Sequence, residues 1–193
     1  MIPDFVTHYY LPDRTPFRSL SELEEPLLTE LMRELIAQRH QGRHHRLFGR
    51  TYMDMRRIVE ARLYRKFVEA GGRPERASPH YFVLGESAWF GGLAPGMREV
   101  RLSLDALPDG QTSITYPDSF AAMEVAPEFG LPHEPRPYHG LIFRLDQLTE
   151  LVDTYGLPRS EPDENYTGYE LRTAEKYVEV QLWSDEPIRA YVS

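Results

Sequence analysis

The 193-residue chain contains no cysteine. It therefore has no disulfide, thiolate metal site, iron–sulfur cluster or cysteine nucleophile, and any metal must sit on His, Asp or Glu. No run of about 18 apolar residues occurs, the minimum for a membrane-spanning helix. The first residues, Met1-Ile2-Pro3-Asp4-Phe5, show neither the basic n-region nor the apolar h-region of a signal peptide. These absences predict a soluble cytoplasmic protein with no membrane partner. Walker A, G-x-G-x-x-G, G-x-S-x-G and H-E-x-x-H patterns are also missing, so the signatures of two nucleotide-binding loops, the serine-hydrolase elbow and the zinc protease helix are absent. Lysine is scarce: only Lys66 and Lys176 among 22 cations.

What is present is an ordinary globular composition, 41% hydrophobic and 27% charged. A chain of this length buries roughly 70% of its unfolded surface and needs no staple, so residues 1–193 are expected to form one domain. The net charge of −8 is unevenly spread. Between Arg39 and Arg76 there are 11 cations and four acids, a local charge of +7, whereas the rest of the chain carries −15. Such a segment predicts either a solvated basic helix or a face for nucleic acid or another polyanion.

The period of the apolar residues divides the chain. Phe5 to Tyr10 is β-branched and aromatic and reads as a strand. Ser21 and Glu24 form a capping box before a helix to Gln41, with Pro26 better suited to its first position. A second helix is expected from Tyr52 to Ala70, burying Tyr52, Met55, Val59, Leu63 and Phe67 and carrying Arg56, Arg57, Arg62, Arg65 and Lys66 on its other face. Strands are expected at 81–84, 100–104, 113–116 and 141–143, a helix from Asp146 to Tyr155, and a closing hairpin of 177–183 with 188–192. Helices first and strands afterwards predict an α+β fold, two N-terminal helices packed on a mostly antiparallel sheet formed by the C-terminal half.

Several residue groups carry possible chemistry. His40 and His44 are spaced i, i+4, but Gly42 falls between them and no carboxylate joins them at helical spacing, so no metal site is assigned. On the last strand Tyr177, Glu179, Gln181 and Trp183 share a face; Glu179 and Gln181 there either line a pocket or sit on the solvated face of an edge hairpin. His8, beside Thr7 and Tyr9, suits a ligand site or a core histidine packed on tyrosine. Asp118 and Ser119 end a strand at Tyr116-Pro117, suited to a site or to a turn and helix cap.

Taken in order, Thr7-His8-Tyr9, an Arg-bearing segment, Pro79-His80-Tyr81-Phe82-Val83-Leu84, Thr115-Tyr116-Pro117-Asp118-Ser119 and Tyr177-Val178-Glu179-Val180-Gln181 resemble the ADP-ribosyltransferase fold, most of all the bacterial DNA ADP-ribosyltransferase toxins. Tyr177 stands where many relatives carry Glu or Gln, and the long first helix has no counterpart. The resemblance implies an enzyme using NAD as co-substrate with Glu179 as the catalytic carboxylate, stabilising oxocarbenium-like charge on the ribose. It further implies that His8, with Tyr9 beside it, binds the adenosine ribose or the nicotinamide amide, that Tyr81 or Tyr116 stacks on the nicotinamide, and that Arg50 or Arg57 pairs with the pyrophosphate. The basic helix would then meet a nucleic-acid or other phosphate-bearing acceptor, and Asp118, Ser119 and Gln181 would bind substrate. Two other functions fit the charge map: a non-enzymatic module binding nucleic acid or an acidic partner through 39–76, and a structural protein whose basic helix pairs with its acidic remainder, within the chain or across an oligomer.

Overall fold

A computed structural model describes residues 1–46, 51–158 and 176–192. The strands are β1 (Phe5–Tyr10), β2 (His80–Leu84), β3 (Arg98–Ser103), β4 (Thr112–Thr115), β5 (Phe143–Arg144) and β6 (Glu179–Leu182). They form one six-stranded sheet in the order β3-β1-β2-β6-β4-β5, every pairing antiparallel. The principal helices are α1 (Glu25–His40), α2 (Tyr52–Glu69) and α5 (Leu148–Tyr155); single helical turns are α3 (Ala88–Gly91), α4 (Ser119–Ala122) and α6 (Arg189–Val192). The fold is α+β, with four of the six strands after residue 97.

Alternation along the strands gives the sheet two different faces. Val6, Phe82, Leu84, Val100, Leu102, Ile114, Val180 and Leu182 point to one side and form the main apolar core with α5, Tyr116 and Tyr138. The other side is covered by α2, whose Val59, Leu63 and Phe67 are fully buried against Trp183, Met123 and Val125. Burial of side chains this size is worth about 1.5–3 kcal/mol each, which fixes the rotation of α2 on the sheet. The helix α1 packs to the side, its Leu35 against Leu11 and Ala94. Among the described residues no helix is long and apolar enough to cross a membrane.

Three expected elements change. The closing hairpin does not form: β6 is already paired on both sides, by β2 and β4, so a return strand has no ladder to join. Pro187 instead starts a 3-10 turn at Glu186–Ile188 that buries Ile188 and runs into α6. The capping box at Ser21 is replaced by Ser19, which caps the 3-10 turn Leu20–Glu22, and α1 starts at Glu25 with Pro26 in its first turn. The helix expected from Asp146 starts at Leu148, because Gln147 reaches back to accept from the Arg144 amide and holds 145–147 as a 3-10 turn.

Candidate active site

A cluster of buried polar groups lies on the α2 side of the sheet. Val83, Glu179 and Thr115 lie in one cross-strand row, and Tyr81, Gln181 and Ser113 in the next. A buried hydrogen-bond chain runs along these rows. Trp183 Nε1 donates to Ser113 Oγ (2.8 Å), Ser113 Oγ donates to Gln181 Oε1 (2.8 Å), and Gln181 Nε2 donates to Thr115 Oγ1 (2.9 Å) and to Glu179 Oε1 (3.0 Å). With both Gln181 amide atoms committed, Glu179 is held in one place, only 6% exposed.

Above it, α2 brings Tyr52, Arg56 and Glu60, four residues apart and hence on one face. The Arg56 guanidinium lies against the rings of Phe120 (4.3 Å) and Tyr81 (4.5 Å), with Tyr52 farther off at 5.7 Å. Cation–π contacts of this kind hold the planar group at about 0.5–2 kcal/mol each. Its nitrogens reach Tyr52 Oη (3.2 Å) and Ser119 Oγ (3.5 Å). Among the described residues no carboxylate lies within ion-pair distance of Arg56, although Glu179 acts on it electrostatically. Glu60 accepts from Tyr81 Oη (3.1 Å) and Ser21 Oγ (3.0 Å), which ties the floor of the site to the turn before α1.

Burial is the chief influence on the charges here. It pushes the Glu179 carboxyl up to about 7, helped by the Asp118 carboxylate and opposed by Arg56 and by hydrogen bonds from Ser119 and Gln181. Glu60 is raised by burial, against Arg56 and its two hydroxyl donors. For Tyr52 burial acts upward, but Arg56 and Arg46 outweigh it and bring the phenol below its usual range. A carboxyl titrating near neutrality beside a permanent cation can exchange a proton with a bound molecule while the cation holds an anionic group.

The structure gathers Glu179, Gln181, Tyr81, Asp118 and Ser119 from the residues expected to act together. Asp118 also caps α4, accepting from the amides of Phe120 (2.9 Å) and Ala121 (3.1 Å). Tyr116 lies on the opposite face, in the apolar core against Tyr138 and Tyr155. His8 is also opposite, because its neighbour Thr7 occupies the row of Val83 and Glu179. Its Nδ1–H donates to Tyr81 O (2.9 Å) and its Nε2 accepts from Phe17 N (3.1 Å), with the ring stacked on Phe17. Both nitrogens serve the backbone, and burial lowers the ring's pKa to about 4, so His8 is a neutral, half-buried structural histidine. Tyr9 is on the site's face but at its far edge, accepting from Ser87 N and stacked on Phe90. Arg57 points away and pairs with Glu25; Arg50 lies outside the described residues. Glu179 and Gln181 are not on a solvated edge, since β6 is a central strand.

Sequence reasoning missed Arg56, placed on the exposed face, and Glu60 and Phe120. The signal was available: Arg56 and Glu60 repeat at four-residue spacing from Tyr52, itself expected to be buried. Two surface clefts lie elsewhere, one of about 430 Å³ at Tyr64, Glu75 and Arg76 and one of about 390 Å³ at Tyr9, Ser87 and Glu99. Comparison with known protein families, curated proteins and solved structures returns no match to this chain.

Proposed function

We propose that the chain is an enzyme whose site is the Glu179–Arg56–Tyr81–Ser119 cluster, and that its substrate carries an anionic group, with NAD as the specific candidate. The observation that carries this reading is Arg56, a guanidinium against two aromatic rings with hydroxyls and no carboxylate as its polar partners, beside a buried glutamate. A fixed fork with unspent donors suits a phosphate. In the transfer reading, ionised Glu179 stabilises the ribosyl cation as neutral nicotinamide leaves, then takes the proton of the attacking acceptor oxygen or nitrogen. Arg56, rather than Arg57, takes the pyrophosphate, and Tyr81 or Phe120 meets the nicotinamide.

The charge map supports self-neutralisation over a polyanion-binding face. Arg57 pairs with Glu25, Arg62 with Glu128, Arg65 with Glu69 and Arg76 with both Glu22 and Asp185, so four of the segment's 11 cations are matched inside the chain. The test is thermal unfolding and nicotinamide release with millimolar NAD. Saturation at 100 times Kd adds about 2.7 kcal/mol of stability, a shift of several degrees at this size. Glu179→Gln is expected to keep the shift and lose release, and Arg56→Lys to lose the shift. No shift and no release in the wild type would remove NAD as the substrate.

A further inference from the structure

We infer that Glu124, His133 and His139 form a binding site for a divalent transition-metal ion of the zinc class, separate from the Glu179 site. One donor atom from each of the three lies within 4.8 Å of the other two, the one such group among the described residues. His133 Nε2 and Glu124 Oε1 are 3.3 Å apart, the edge expected of a tetrahedron with metal bonds of about 2.0–2.1 Å. That edge is already set; closing the third ligand onto it takes a side-chain movement of an ångström or so. The imidazole rings of His133 and His139 lie 5.1 Å apart at a tilt of 31°.

The backbone around the cluster is pinned from two sides. Arg62, from α2, donates to Met123 O (2.7 Å) and holds the chain at Glu124, which adopts a left-handed φ of 51°. Gly140 N donates to Ala122 O (2.7 Å), which brings His139 against the end of α4. The second carboxylate oxygen of Glu124 lies over Gly140, where an added Cβ would meet it at 3.5 Å. The two histidines are half-buried and Glu124 is exposed, so an ion can enter from solvent. Of the cations beside the cluster, Arg136 directs its side chain to Glu134 (3.0 Å) and Arg62 directs its own to Glu128. The Arg136 amide makes a long 3.3 Å contact to His139 Nδ1, which a metal on that nitrogen replaces.

The donor set selects the ion. Calcium and magnesium prefer all-oxygen cages and copper(I) prefers thiolate or thioether ligands; two imidazoles and one carboxylate suit zinc and its neighbours. Three protein ligands leave the fourth tetrahedral position to water. Bound there, the ion ties the connection 130–140 to the end of α4, the turn that begins with Asp118 and Ser119.

The test uses the full chain after chelator treatment, titrated with Co²⁺ and followed by its visible ligand-field absorption, with Zn²⁺ as competitor. One equivalent with tetrahedral absorption, displaced by Zn²⁺, is expected. His133→Ala, His139→Ala and Glu124→Gln should each weaken binding at least about tenfold, while His40→Ala leaves it unchanged. Octahedral or absent Co²⁺ absorption, or full affinity in the His133→Ala/His139→Ala double variant, would overturn the proposal. Should that double variant fail to fold, undiminished binding by Glu124→Gln, which alters only an exposed side chain, overturns it equally.

Discussion

Glu179→Gln offers the sharpest test of the site, because it separates stability from activity. The carboxyl titrates at about 7 in the folded chain against an ordinary value of 4.5. One pKa unit is worth 1.36 kcal/mol, so ionising Glu179 in the native state costs about 3 kcal/mol. Between those pH values the folded chain holds a proton that the unfolded chain has released, so this group's contribution falls as pH rises from 4.5 to 7 and then stays flat. The amide keeps the size of the acid and cannot ionise. The variant is therefore expected to gain on the wild type as pH rises, reaching about 2–3 kcal/mol by pH 8, or roughly 5–10 °C in Tm. His8, lowered to about 4, produces the opposite slope below pH 6.5, where the unfolded chain binds the additional proton. That slope is common to both proteins and cancels in their difference. Urea unfolding followed by circular dichroism at pH 5, 6, 7 and 8 measures it. A difference that stays flat over this range, or turns against the variant as pH rises, would refute the burial argument for Glu179.

Turnover by the wild type should rise with pH through about 7, since the ionised carboxyl is the working form; a rate that falls over the same interval would assign Glu179 an acid role instead. His8→Ala should cost about 2–4 kcal/mol at pH 7, from the lost ring packing and the unsatisfied Tyr81 carbonyl and Phe17 amide, yet leave ligand affinity at the Arg56 site unchanged in a binding titration. Arg56→Lys keeps the charge but loses the planar stack, and calorimetry should show at least about a tenfold loss of phosphate-bearing ligand. Gly72→Ala puts a methyl 2.5 Å from the fully buried ring of Phe67, so chemical denaturation should report about 1–3 kcal/mol of destabilisation.

How much was legible in the sequence depended on the range of the interaction involved. The α2 row Val59, Leu63 and Phe67 was visible as a repeat and is fully buried, and β1 covers the six residues that its β-branched and aromatic run suggested. Period 2 along the last strand put Glu179, Gln181 and Trp183 on one face, where they are joined by hydrogen bonds through Ser113. The turn residues after the last strand suit a return strand, but whether a ladder is open to it is a property of the sheet order, in which β6 is already paired on both sides. Arg56, an arginine among arginines, looks solvated in the sequence because the rings it packs against, Tyr81 and Phe120, are 25 and 64 positions away.

The sequence by itself determined the α+β class, the absence of cysteine chemistry, the alternation of sides along each strand and the apolar row of α2, since these follow from composition and from local periods of 3.6 and 2. The tertiary structure decided which of those sides meet. Strand pairing placed Thr7, Val83, Glu179 and Thr115 in one row, and so put His8 behind the sheet and Glu179 under α2. It also matched the basic segment to acids far away along the chain, such as Arg76 to Asp185, and brought Glu124 to His133 and His139. No local period encodes such pairings, because they arise from register across strands and from where a helix comes to rest on the sheet.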